Sequence, residues 1–261
     1  MRIAFGTVAF VLQNKKHNGH KGVYSYLDRT DVDLQVELPY VFPKKDNGRY
    51  AIKNQSNFEK IPGCPIGYWV SENMIKVFDH PSIEQYATVI TGMTIGDNNK
   101  YLRFWNELGF EKLALGKSKM SEINLSKTKW IPYSKGGTRR NWYGGYDYVV
   151  NWSQKDNFNR SKTTLQHLYL REALTWPFIC SSTFSAKQLP IGFLWDVAGS
   201  PCFFDTKEDE LYTLGFLISK VCEVILKVSN PTINVQAVDI ARLPIIKKNI
   251  EARKAAYIYL F

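Results

Sequence analysis

From Glu208 to Val228 the apolar residues recur at helical spacing. Leu211, Leu214, Ile218, Val221 and Ile225 make one stripe, and Leu217, Val224 and Val228 widen it. Such a stripe buries one helix face against another layer, and Asn230-Pro231 stops it. Most of the remaining chain reads as short β-rich runs cut by Gly, Pro and Asn. The pairing of a long amphipathic helix with many short runs predicts an α+β fold. Its twisted, mostly antiparallel sheet region begins near Tyr86, helices flank it, and the 208–228 helix packs on it.

Ahead of that region, Ile3–Leu12 is a continuous apolar run that reads as a buried strand rather than a signal peptide. Val23–Leu27 reads as its hairpin partner, Val32–Val41 as a short alternating segment, and Asp46–Lys60 as an Asn-rich loop. Ser71 has the chemistry to N-cap a short helix ending near Phe78. Tyr86–Thr91, Leu174–Ile179, Phe193–Val197 and Val235–Leu243 read as strands, with Ser181–Gln188 a turn-rich link. In Thr91–Trp105, Asp97, Asn98 and Asn99 favour a turn, and Tyr101, Arg103 and Trp105 would share one strand face. Ile250–Phe261 begins another helical pattern.

With 261 residues, 44% of them hydrophobic, the chain can bury a sizeable core. No apolar run is long enough to span a bilayer, so a soluble, cytoplasmic protein is expected. Cys64, Cys180, Cys202 and Cys222 stand far apart without a CxxC pair, which suits buried thiols in a reducing compartment. His17 and His20 lie in a polar turn without a Cys or acidic partner at ligand spacing, so no metal site is expected.

A net charge of +10 points to a polyanion partner or an anionic membrane surface. The charge is spread in short clusters (Lys15–Lys16, Lys44–Lys45, Arg139–Arg140, Lys247–Lys248), as a groove lined by several segments would require. One stretch concentrates it: KWIPYSKGGTRRNWYGGYDYVVNW, Lys129–Trp152. Between Lys129 and Tyr146 it has no acidic residue, and it interleaves Lys129, Lys135, Arg139 and Arg140 with Trp130, Tyr133, Trp142, Tyr143 and Tyr146. Cations beside flat aromatic faces on a Gly-Gly turn can neutralise phosphates and touch bases. The competing reading is a β-hairpin whose aromatics are core and whose cations are merely solvated, with one of the two arginines paired to Asp147 or Glu172 as a further structural alternative.

Catalytic motifs are missing: there is no GxSxG, HExxH, Walker motif or GxGxxG. Five ordered blocks carry a resemblance instead. KIPGCPIGYWVS, TGMTIGDNNKYLRFW, the Lys129–Trp152 stretch, LTWPFICSSTFSAKQLPIGFLWDVAGSPCFF and NPTINVQAVDIARLPII together resemble the C-terminal part of the PglX family. These are adenine-specific DNA methyltransferases of BREX phage-defence systems, and more distantly the chain is similar to target-recognition regions of type IIG restriction-modification enzymes.

The resemblance implies a target-recognition-domain-like fold preceded by a strand remnant of a methyltransferase domain. Residues 1–45 would be that remnant, 46–84 a linker with a short helix, 85–246 the DNA-reading domain, and 247–261 an incomplete helix. Amino-methyltransferases of this class use an Asn/Asp-Pro-Pro-Tyr/Phe motif at the flipped base. The single Asn-Pro here, Asn230-Pro231, is followed by Thr232 and closes a helix. Methyl transfer and its S-adenosylmethionine cofactor are therefore expected outside this chain, which needs no cofactor of its own.

The implied partners are double-stranded DNA, other BREX proteins and phage DNA-mimic proteins, with no membrane. Lys129, Lys135, Arg139 and Arg140 are the leading DNA contacts, followed by Asn98, Lys100 and Arg103. An arginine bidentate to guanine is worth about 1–3 kcal/mol of discrimination, whereas lysine more often holds phosphate. Trp142 and Tyr143 would stack or wedge at the DNA. The alternatives are a carbohydrate or single-strand binding module and a protein-interaction piece of the defence complex.

Overall fold

The computed structural model describes residues 8–15, 19–46, 48–137 and 139–246. The chain runs β1 (Lys21–Ser25), β2 (Val32–Asp33), β3 (Leu38–Pro39), β4 (Tyr50–Asn54), α1 (Glu72–Val77), β5 (Ala87–Val89), α2 (Asn98–Tyr101) and β6 (Leu102–Phe104). It continues with β7 (Trp130–Ser134), β8 (Tyr148–Asn151), β9 (Ala173–Thr175), β10 (Lys187–Leu189), β11 (Leu194–Trp195), β12 (Pro201–Phe204), α3 (Lys207–Leu217), α4 (Lys220–Ser229) and α5 (Ala237–Ala241). Short 3-10 turns fill many of the connections.

The α+β expectation holds, but the strands divide into separate small sheets. One four-stranded sheet has the order β10-β9-β12-β5 and is antiparallel throughout. The other has the order β11-β7-β8-β6, with β11 parallel to β7 and the other pairs antiparallel. Two-stranded ribbons pair β1 with β4 and β2 with β3.

Strand alternation explains how the layers stack. Along β9 and β12, Ala173 and Phe203 join one core with Ile131, Tyr133, Val150 and Trp195 of the β7–β8 sheet. Their neighbours Leu174, Cys202 and Phe204 point the other way, into a core with Leu214, Leu217, Ile225 and Ile240 of the helices. Period-two side-chain direction thus makes one sheet the shared wall between a second sheet and a helical layer. Fully buried Trp176 and Trp195 anchor the two sides, each large apolar side chain contributing on the order of 2–3 kcal/mol.

The long helix breaks in two. Ser219 Oγ accepts from Cys222 N at 3.1 Å and donates to Phe216 O at 2.6 Å, ending α3 and starting α4. Both helices still bury the predicted stripe, although Val221 and Val224 are exposed. The Val235–Leu243 segment forms helix α5 instead of a strand, because Asp239 Oδ2 accepts from Gln236 N at 2.7 Å and secures the first turn.

Further upstream, Ser71 caps α1 as expected, its Oγ accepting from Met74 N at 3.2 Å. The expected loop 46–60 contains β4, which pairs with β1 in the register Val23↔Ile52. Residues 8–12 of the apolar run form no strand and are exposed, Val11 completely. Residues 3–7, His17 and the 247–261 helix expectation lie outside the described residues. Tyr101 belongs to α2, so the extended alternation begins only at Leu102. The link 181–188 ends in β10, whose polar start, Lys187, faces inward.

Cys202 and Cys222 are buried thiols, and burial pushes the Cys222 thiol up to about 12. Cys64 departs from the buried-thiol reading, since it is exposed. Among the described residues no helix is long and apolar enough to cross a membrane.

Candidate nucleic-acid interface

The Lys129–Trp152 stretch is a hairpin: β7 and β8 pair with Trp130 opposite Asn151 and Tyr133 opposite Tyr148. The connecting loop, 135–147, projects from the Tyr133/Tyr148 end. Its base is fixed at several points. Tyr133 Oη and Lys135 Nζ both donate to Asp196 Oδ2, at 2.9 and 2.8 Å, while Asp196 Oδ1 accepts from Ala198 N at 2.9 Å. Asp196 is buried, and desolvation together with the Asp196 charge raises the Tyr133 hydroxyl well above its ordinary value.

Gly136 adopts φ +71°, and a Cβ there would lie 1.9 Å from Ala198 O, so the backbones approach too closely for any side chain. The far side of the loop is tied to β10. Trp142 N donates to Ala186 O at 3.2 Å and Gln188 N to Trp142 O at 2.9 Å, holding Trp142 at φ +70°. A bulky residue at positive φ is uncommon, and these two bonds hold it there. The Tyr146 hydroxyl donates to Gln188 O.

Lys187 reaches into the loop from below. Only 6% exposed, its Nζ donates to Gly144 O at 2.6 Å and sits 4.5 Å from the Tyr146 ring centre. Desolvation lowers its pKa to about 8, opposed by the nearby Asp147 charge and assisted by that of Arg140.

What this frame leaves at the tip is basic and aromatic. Arg139 and Arg140 are exposed, and among the described residues neither forms an ion pair. Glu172 is occupied by Lys207 at 2.7 Å, so the pairing considered between it and an arginine is not made. Beside the arginines, Trp142 is 44% and Tyr143 63% exposed, the latter edge-on to Tyr146 at 5.0 Å. The aromatics thus divide: Trp130 and Tyr133 are core, Tyr146 is half-buried, and Trp142 and Tyr143 face solvent.

Three partners of the loop lay outside the sequence reading. Trp105 N donates to Asp147 O at 2.9 Å, bringing exposed Phe104, Trp105 and Phe110 to the loop's flank. Phe104 stacks on Tyr148 at 4.8 Å. Asp196 and Lys187 are the others. Lys187, expected in a turn-rich link, gave no signal of its burial, whereas the Gly136-Gly137 pair marked the turn but not its close approach to Ala198.

The remaining candidates occupy the opposite end of the sheet. Leu102 pairs with Val150 and Phe104 with Tyr148, which puts α2 near the Trp130/Asn151 end, away from the loop. There Lys129, Asn98 and Lys100 are exposed. Asp97 caps the turn by accepting from Lys100 N at 3.1 Å. Arg103 is half-buried, donates to Asn99 O at 2.6 Å and Leu102 O at 2.5 Å, and lies 5.9 Å from the Trp130 ring. It braces α2 against the sheet. The four residue-to-residue steps of five-residue β7, at about 3.4 Å each, put roughly 14 Å between the two basic groups.

The fold and site together define an α+β protein that carries a basic, aromatic-tipped hairpin loop on a base fixed by two sheets. The particular likeness is to adenine-specific methyltransferases. The chain is 34% identical over 260 residues to the adenine-specific methyltransferase PglX of Lacticaseibacillus casei (strain Zhang), across 93% of this chain and 21% of that protein. It is 31% identical over 256 residues to the adenine-specific methyltransferase BrxX of Escherichia coli O9:H4 (strain HS), across 93% of this chain and 20% of that protein. The chain therefore spans about a fifth of the length of these relatives. No family model matches it.

Proposed function

We propose that this chain reads double-stranded DNA on behalf of an adenine-specific methyltransferase of the BREX phage-defence type, with methyl transfer from S-adenosylmethionine carried out elsewhere in such a protein. The observation that carries the reading is the loop 135–147: Arg139 and Arg140 project without an ion pair among the described residues, next to solvent-facing Trp142 and Tyr143. The backbone of a pinned loop loses little conformational freedom on binding, and its exposed arginines present forks suited to guanine edges or phosphates. Lys135 belongs to the loop's foundation in this reading, because its ammonium already serves Asp196. The same surface would accept an acidic DNA-mimic protein as a competitor, and other defence proteins would dock elsewhere.

The test is binding to a random-sequence duplex across a salt series, with Arg139→Ala/Arg140→Ala beside the unaltered chain and unfolding curves confirming that both are folded. Each phosphate contact contributes about 0.9 to the log–log slope, so the double variant is expected to bind with a slope shallower by one to about two. Equal slopes for the two proteins, or no salt-dependent binding by the folded chain, would remove the loop from DNA recognition.

A further inference from the structure

A second site lies in the β1–β4 region and uses none of the loop residues. Tyr26, Tyr50, Tyr68 and Trp69 line a cleft of about 340 Å³, with Arg49 and Ala51 completing its wall. That volume is at the small end for ligand sites and suits a single flat ring system. The walls are ordered by ring contacts: Tyr68 is stacked on Tyr24, 4° from parallel at 5.2 Å, and Trp69 stands edge-on to Tyr68 at 5.1 Å.

Charge around the cleft is graded from inside to rim. The Arg49 guanidinium lies 5.3 Å from the Tyr26 ring, but Asp28 at 2.9 Å and Asp31 at 3.5 Å hold and neutralise it. The guanidinium's charge is thereby compensated within the protein, which leaves the aromatic faces as the cleft's binding surface. At the rim, exposed Lys45 stands 5.7 Å from the Tyr50 ring and is in no ion pair among the described residues, unlike Lys44, which pairs with Asp46. Along the chain, Lys53 and Lys60 belong to the same segment, whose only acids between 44 and 60 are Asp46 and Glu59.

We infer that this cleft receives one unpaired nucleobase, stacked on Trp69 and the tyrosines, with the attached phosphate directed to Lys45. Aromatic faces bind any base through its π surface, and a cation beside them answers the backbone charge. The tyrosine hydroxyls supply donors and acceptors at the ring's edge. The inference stands on the cleft alone and is independent of the loop reading.

Its test is fluorescence anisotropy of labelled six-nucleotide dA and dT single strands with the full chain. Trp69→Ala, at a position 57% exposed, is expected to weaken binding about ten-fold. Trp69→Phe keeps a π face and should retain most of the affinity. Should Trp69→Ala fail to fold, Tyr26→Leu, also exposed, takes its place with the same expectation. Introduced into the Arg139→Ala/Arg140→Ala background, Trp69→Ala should weaken binding by the same factor, which separates this site from the loop. The proposal is overturned by an unchanged affinity in Trp69→Ala or an equal loss in Trp69→Phe. Absence of oligonucleotide binding, or binding of maltohexaose in its place, would overturn it too.

Discussion

Lys187 holds the underside of the loop through a charge that the surrounding structure disfavours. In the unfolded chain its ammonium would keep its proton up to about 10.5, whereas burial brings this to about 8 in the folded protein. Between those values the unfolded state binds more protons, so this residue makes unfolding harder as pH rises through the window. Below pH 8 both states are protonated and the cost of burying the charge is present in full, about 3 kcal/mol before the Gly144 bond offsets part of it. Stability of the native protein should therefore rise relative to Lys187→Met between pH 8 and 10.5. Urea midpoints measured at intervals across that range decide it, and parallel curves would mean the ammonium is not destabilised by burial. The neighbouring restraint acts differently: at Gly136 the obstacle to any side chain is Ala198 backbone, which has no rotamer through which to yield.

Among the elements, the break between α3 and α4 shows how a local competitor overrides periodicity. The apolar stripe runs continuously through Ile218 and Val221, yet Ser219 Oγ offers Cys222 N a partner that an uninterrupted helix would not need. Ser219→Ala should cost about 1 kcal/mol, read as a lowered urea midpoint with unchanged slope, while Ser219→Asp, which retains an acceptor, should cost less. No loss in the alanine variant would assign the break to packing alone. The same logic separates what was legible in the sequence from what was not. The hairpin around 129–152, the Ser71 cap and the buried helical stripe follow from local pattern and turn chemistry. Helix α5, β4 and β10 were misread because Val235–Leu243 is β-rich in composition, 46–60 is Asn-rich, and Lys187 is charged. Each owes its conformation to a distant or capping partner that composition does not reveal. On the loop, the grouping of exposed Arg139, Arg140 and Trp142 was legible from charge and aromatic spacing, whereas Asp196 and Trp105 reach the loop only through the sheet's register.

For the whole molecule, the proposed DNA reading makes a further prediction, that the two basic groups address one duplex. Arg139 and Arg140 project from one end of the β11-β7-β8-β6 sheet, and Lys100 and Lys129 from the other. At least roughly 14 Å of strand separates them, about four base-pair steps along B-DNA. Among the described residues Lys100 and Lys129 form no ion pair, and Lys100 lies 5.2 Å from the Tyr101 ring. Two separated phosphate contacts on one bound duplex release counterions independently, so their effects on the salt slope should add. Lys100→Ala/Lys129→Ala is expected to make the log–log slope shallower by about two on a twelve-base-pair duplex. The quadruple variant with Arg139→Ala/Arg140→Ala should show the sum of the two changes. If the lysine pair leaves the slope untouched, the duplex meets the loop end alone. In that case the sheet serves only to position the loop, and Arg103, already bonded to Asn99 and Leu102 carbonyls, would be entirely a brace for α2.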